Sequence, residues 1–145
     1  MNKSEPTAVR TLLVADDDRL HNALRRIFDH SNWQLTSAYS IREGLDLLKS
    51  SDPFVVLCDR HLPDGDWRDL YEALADARIT RPIIVVAEIA DEQFWLESLG
   101  SGAYDVLEKP LQASEVYRLV SQAWMYSLKN FRALSRMAVQ GMAQV

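Results

Sequence analysis

Apolar residues in this chain fall into two alternating patterns: short runs, the last of them interrupted by Asp105, and stripes spaced three and four apart. The runs are Leu12-Leu13-Val14-Ala15, Phe54-Val55-Val56-Leu57-Cys58, Ile83-Ile84-Val85-Val86 and Tyr104-Asp105-Val106-Leu107. Apolarity of this length predicts strands buried on both faces, near 11–15, 54–58, 83–86 and 104–107. A weaker strand is expected at 34–38. Between the runs, Leu20, Leu24, Ile27 and Phe28 have helical spacing, as do Ile41, Leu45 and Leu48 within 40–50. Leu70, Ala73, Leu74 and Ala77 predict a helix near 66–78, and a shorter one is expected near 91–100. Pro82 opens the fourth strand, a position where its missing donor is tolerated. Five β–α units follow one another with short connections. That order predicts an α/β fold with a doubly wound, five-stranded parallel sheet covered by helices on both faces.

The final helix is expected to start near Ala113 or Ser114 and meets no Pro or Gly until Gly141. Tyr117, Val120, Trp124, Leu128, Phe131 and Leu134 form its apolar stripe. About four turns are enough to cover one edge of the sheet. Beyond them the stripe faces water unless something covers it. The chain therefore divides into an N-terminal tail (1–10), one globular domain (11–125) and a helical extension (126–145). The extension reads as a helix folded back on the domain, a dimerising helix, or a linker to an output domain outside this sequence.

Composition narrows the function. The 145 residues suffice for one independent core. Sixteen Lys plus Arg against 21 Asp plus Glu leave a net charge of -5, which argues against a sequence-independent hold on nucleic acid. No stretch approaches the roughly 20 apolar residues of a membrane span, and MNKSEPTAVR has no signal-peptide core. The single cysteine, Cys58, fits a reducing cytoplasm and, inside an apolar run, reads as a small buried hydrophobe.

The chemistry sits at the ends of the runs: Asp16-Asp17-Asp18, Asp59, Ala87-Glu88 and Lys109-Pro110 each follow a predicted strand. In open parallel sheets ligands gather beyond the carboxyl ends of the strands. Two carboxylates about 4 Å apart repel by roughly 4 kcal/mol at an effective dielectric of 20, so Asp59 beside Asp16 and Asp17 calls for a cation. Oxygen ligands with retained water suit Mg²⁺ or Mn²⁺, and Lys109 adds a positive charge for a phosphoryl oxygen. A carboxylate in such a site is itself a nucleophile toward phosphorus. Alone, Asp17 or Asp18 reads equally well as a helix cap.

Four segments, LLVADDD at 12–18, VVLCDRHLPDGD at 55–66, RPIIVVA at 81–87 and GAYDVLEKP at 102–110, resemble the receiver domains of bacterial two-component response regulators. The resemblance runs from about residue 10 to 125 and implies a flavodoxin-like (βα)5 fold. It implies that Asp59 is the phosphoacceptor. Asp17 then binds Mg²⁺ directly, Asp16 largely through water, and the His61 backbone carbonyl completes the protein ligands. Lys109 holds the phosphoryl group, aimed inward by a cis bond to Pro110. The donor is a histidine kinase or histidine phosphotransfer protein. The domain is then no turnover enzyme but a stoichiometric acceptor that catalyses its own phosphorylation and dephosphorylation, in the cytoplasm. A homodimer through the last helix is a further candidate contact, read from its apolar stripe and not from the resemblance. The His61 side chain, two residues past the acceptor, is expected to influence how long the label survives.

The chain departs from the family pattern at four places. Ala87 replaces the switch hydroxyl and Val106 the switch aromatic, with Tyr104 as the candidate substitute. Glu88 replaces a small residue, although its backbone N–H is still expected to bind phosphate. Trp67 replaces the usual glycine. These departures support an alternative, a phosphorylation-independent interaction module on a receiver fold. A third reading is a haloacid-dehalogenase-like phosphatase, from Asp16 and Asp18 at Asp-x-Asp spacing. It is opposed by Leu20 in place of the expected threonine or valine and by the short chain.

Overall fold

The computed structural model describes residues 8–50 and 52–143, with side chains through Gln140. Residues 1–7 of the expected tail and 144–145 of the extension lie outside that range. Five parallel strands make one sheet: β1 (Arg10–Val14), β2 (Gln34–Ala38), β3 (Val55–Asp59), β6 (Ile83–Ala87) and β7 (Asp105–Glu108). Between β3 and β6 lies a two-stranded hairpin, β4 (His61–Leu62) and β5 (Gly65–Asp66). The sheet order is β2-β1-β3-β6-β7, so the chain reverses direction across the sheet between β1 and β3. This is the doubly wound, flavodoxin-like arrangement the β–α alternation predicts.

Helices α1 (Asp18–Phe28), α2 (Ile41–Leu48), α3 (Trp67–Asp76), α4 (Glu92–Gly100) and α5 (Ala113–Ala143) cover the two faces. Four of them start on side chains that satisfy otherwise unpaired N–H groups. Asp17, Ser40 and Asp91 cap α1, α2 and α4, and Asp66 and Asp69 form a reciprocal capping box on α3. Alternate strand residues feed two cores. Leu12, Val14, Val56, Cys58 and Val85 pack toward α2, α3 and α4. Leu13, Leu57, Ile84, Val86 and Leu107 pack toward α1 and α5.

Two elements add detail to the sequence reading. The strand at 34–38 is weakly patterned because β2 is the sheet edge, where only Ala38 is fully buried. The last helix runs past Gly141 to Ala143. Within α5, Val116, Leu119, Val120, Ala123, Trp124 and Leu128 are buried, and the Ser127 hydroxyl donates to the Phe54 carbonyl at 3.1 Å. From Arg132 to Gln140 every residue is exposed. The helix thus covers the sheet for about four turns and then leaves it.

Candidate functional site

Strand register brings the acidic and basic residues together. Val14 pairs with Cys58 in β1 and β3, so Ala15-Asp16 and Asp59 leave the sheet at the same edge. Asp59 pairs with Val86, and Ala87 with Glu108, which places Lys109 one residue past β7 on that edge. Lys109 is tied down by its N–H, which donates to the Ala87 carbonyl at 2.8 Å. Its ammonium Nζ donates to Asp59 Oδ2 at 3.2 Å, and the side chains are 23% and 13% exposed. The other carboxylate oxygen, Oδ1, accepts the Arg60 N–H at 2.9 Å. The Lys109-Pro110 bond is cis. An ammonium and a carboxylate separated by 50 positions in sequence therefore form one partly buried, charge-assisted hydrogen bond.

The acidic cluster divides its work. Asp17 is the α1 cap: its Oδ1 accepts the Arg19 N–H at 2.9 Å and lies 3.9 Å from the Arg19 Nε. Asp16 is exposed at the mouth of the site. Asp18, the first residue of α1, hydrogen-bonds the Tyr39 side chain, and that bond is the main cause raising the Tyr39 phenol above its ordinary value. His61 opens β4, opposite Asp66, with its side chain exposed. Glu88 is exposed just past β6.

A divalent ion fits this donor set only in part through side chains. Among the described residues, no three His, Cys, Asp or Glu side chains are grouped so as to hold a metal ion. Mg²⁺ commonly takes one or two carboxylates and keeps several waters. Carboxylates leaving two neighbouring strands match that habit.

The departures from pattern have structural explanations. Ala87 and Val106 are buried in one apolar cluster with Phe94, so the place of a switching hydroxyl and aromatic is packed with hydrocarbon. Tyr104 is no substitute for the aromatic. It precedes β7, packs with the α1–α5 core and lies 5.8 Å from Tyr126. The aromatic beside Val106 instead comes from α4: the Trp95 Nε1 donates to Asp105 Oδ1 at 3.1 Å. Trp95, Asp105, Val106, Arg118 and Leu119 line a cleft of about 350 Å³ there. Trp67 is 1% exposed and fills the core at the start of α3. The glycine the turn needs is Gly65, at φ 148°.

Sequence reasoning also passed over His21. It is buried, its Nε2 donates to the Ala15 carbonyl at 2.8 Å, and its Nδ1 lies 3.0 Å from the Ser37 hydroxyl. The ring stacks on Tyr39 at 4.2 Å. His21 thereby joins the residue before Asp16 to β2. The helical spacing 21, 24, 28 was the available signal. Cys58 behaves as expected: it is fully buried, and desolvation, followed by the nearby Asp59 charge, pushes its thiol far above the ordinary range.

Comparison with known proteins agrees with this geometry. The model of the response regulator receiver domain matches residues 11–121. The cell cycle response regulator CtrA of Brucella ovis is 26% identical over 108 residues, 74% of this chain and 47% of that protein. The chain thus spans about half the length of the curated relatives it matches. Among solved structures, the signal receiver domain of a LuxO repressor protein from Vibrio parahaemolyticus superposes with TM-score 0.74 at 21% identity, covering 90% of this chain and 97% of that one. The beryllofluoride-activated NtrC4 receiver domain dimer gives 0.71 at 22% identity, covering 81% and 98%. With a family match across most of its length and an Asp59–Lys109 pair at the sheet's carboxyl edge, this chain belongs to the response regulator receiver domains of two-component systems.

Proposed function

We propose that Asp59 accepts a phosphoryl group from a histidine kinase or a histidine phosphotransfer protein, in the presence of Mg²⁺ or Mn²⁺. The observation that carries this reading is the 3.2 Å contact between Lys109 Nζ and Asp59 Oδ2. In the transfer, an Asp59 carboxylate oxygen forms a bond to phosphorus as the phosphorus–nitrogen bond of the donor histidine breaks, and the imidazole leaves with the electron pair. The Lys109 ammonium, already at the acceptor, is placed to move onto a phosphoryl oxygen and stabilise charge there. Asp17, Asp16, Asp59 and the His61 carbonyl are the groups that would hold the divalent ion. When bound, that ion neutralises charge on the carboxylates and on the transferring group. The Glu88 N–H is the proposed backbone donor to the phosphoryl group, with its carboxylate turned to solvent.

The signal would leave through the surface of α4, β7 and α5, where the Trp95–Asp105 contact replaces the usual pairing of hydroxyl and aromatic. The exposed end of α5 is a second contact surface in this reading, available for self-association. One observation favours the alternative of a phosphorylation-independent interaction module: Ala87 and Val106 are locked into packed core.

Incubation with Mg²⁺ and acetyl phosphate or phosphoramidate, read by intact mass, separates the two. A phosphoryl group added to the wild type but not to Asp59→Asn supports acceptance at Asp59. Absence of label while Mg²⁺ binding is measurable supports the interaction module.

A further inference from the structure

A cavity lies at the opposite end of the sheet from Asp59. It is a groove of about 430 Å³ between the departing end of α5 and the segments that enter β3 and β6. Pro53, Ile79, Phe131 and Leu134 give it apolar walls. Lys49, whose ammonium also pairs with Asp46 at 3.3 Å, and Arg78, both exposed, add positive charge, and Arg81 lies deeper. The Arg81 guanidinium donates to the carbonyls of Ser50, Asp52 and Thr80, whereas its Nε is buried without a hydrogen-bond partner among the described residues.

Charge restricts what fits there. The chain carries -5 overall, yet after Glu115 it contains Arg118, Lys129, Arg132 and Arg136 and no acidic residue. Two such helix ends laid side by side would bring like charges together. The groove is also concave, so its apolar walls suit a protruding side chain better than a flat lipid surface. An occupant should present an exposed apolar ridge flanked by carboxylates.

The same chain carries one. Ile89 and Leu96, before and on α4, are 71% and 55% exposed. Around them stand Glu88, Asp91, Glu92 and Glu97, all exposed. Ridge and groove lie on different parts of the fold, so one copy can offer its ridge while another offers its groove.

We propose that the groove beside the end of α5 receives the acidic α4 ridge of a second copy, so that copies associate head to tail. A contact between two different surfaces does not close on itself by twofold symmetry, and it extends into longer chains as concentration rises.

The test is sedimentation velocity of the full chain, from micromolar to submillimolar protein. The expected result is a rising average mass at low salt that falls back to monomer at about 0.5 M NaCl, where charge screening is short-ranged. Two charge-reversed variants isolate the two surfaces: Lys49→Glu with Arg78→Glu in the groove, and Glu92→Lys with Glu97→Lys on the ridge. All four residues are exposed, and circular dichroism checks that both variants fold. Each alone should weaken association about tenfold or more, and an equimolar mixture should restore it, since each then meets a complementary surface. A wild type that stays monomeric throughout overturns the proposal and leaves the groove to a foreign acidic partner. Loss of association in only one of the two variants also overturns it, because that is the mark of a symmetric pairing.

Discussion

Replacing Gly65 by alanine tests whether the hairpin after Asp59 is held by backbone geometry. Gly65 sits at φ 148°, a region that L side chains rarely enter. A Cβ there would lie 2.4 Å from Asp69 Oδ2 and 2.9 Å from Ile41 Cδ1. The first clash falls on a working group, because Asp69 Oδ2 accepts the Asp66 N–H at 2.9 Å and closes the α3 capping box. Backbone strain costs on the order of 1–2 kcal/mol. Displacing half of the capping box adds about 1 kcal/mol. The expected loss is thus about 2–3 kcal/mol. At about 2.1 cal/mol/K per residue, unfolding entropy converts this to a fall in Tm of roughly 6–10 °C for a chain of this size. Thermal and urea denaturation of Gly65→Ala against the wild type measure it. A loss below about 0.5 kcal/mol, the range of neutral surface changes, would refute the reasoning, since the hairpin would then accommodate a side chain freely.

The remaining predictions address chemistry and anchoring. Lys109→Met should slow labelling of Asp59 by acetyl phosphate about 10²–10³-fold, the usual consequence of removing one donor from a site of developing charge; a time course of intact mass checks it. Cys58 is protected as the neutral thiol in the fold and ionises in the unfolded chain near 8.5. Its contribution is therefore fully present below about pH 8.5 and is lost as pH rises above it, by up to about 1.4 kcal/mol per pH unit. Urea titrations at pH 8 and pH 10 should show that slope in the wild type and a shallower one in Cys58→Ala. Ser127→Ala removes the donor to the Phe54 carbonyl at a nearly buried position and should cost about 1 kcal/mol, read from chemical denaturation.

The comparison of sequence with structure turns on range. The three central strands were legible because each is buried on both faces, so its residues must be apolar in an unbroken run. The α1 cap was legible as Asp17 or Asp18, since a cap and the N–H it satisfies are two residues apart, and the structure assigns it to Asp17. The β4–β5 hairpin was not, because two residues per strand carry no period. His21 was passed over because a polar ring is buried only where partners from elsewhere, here Ser37 and the Ala15 carbonyl, satisfy both nitrogens.

At the site, the sequence by itself determined which charged groups leave the sheet edge, since each stands at or just past the end of a predicted strand. It also determined that a switching hydroxyl and aromatic are missing at residues 87 and 106. Only the tertiary structure decided that Lys109 reaches Asp59, that Tyr104 packs on the far core and that Trp95 of α4 reaches Asp105. Those contacts depend on strand register and on which way a side chain turns on leaving its element. Local pattern specifies burial, whereas a contact between residues 10 or 50 positions apart depends on how whole elements pack.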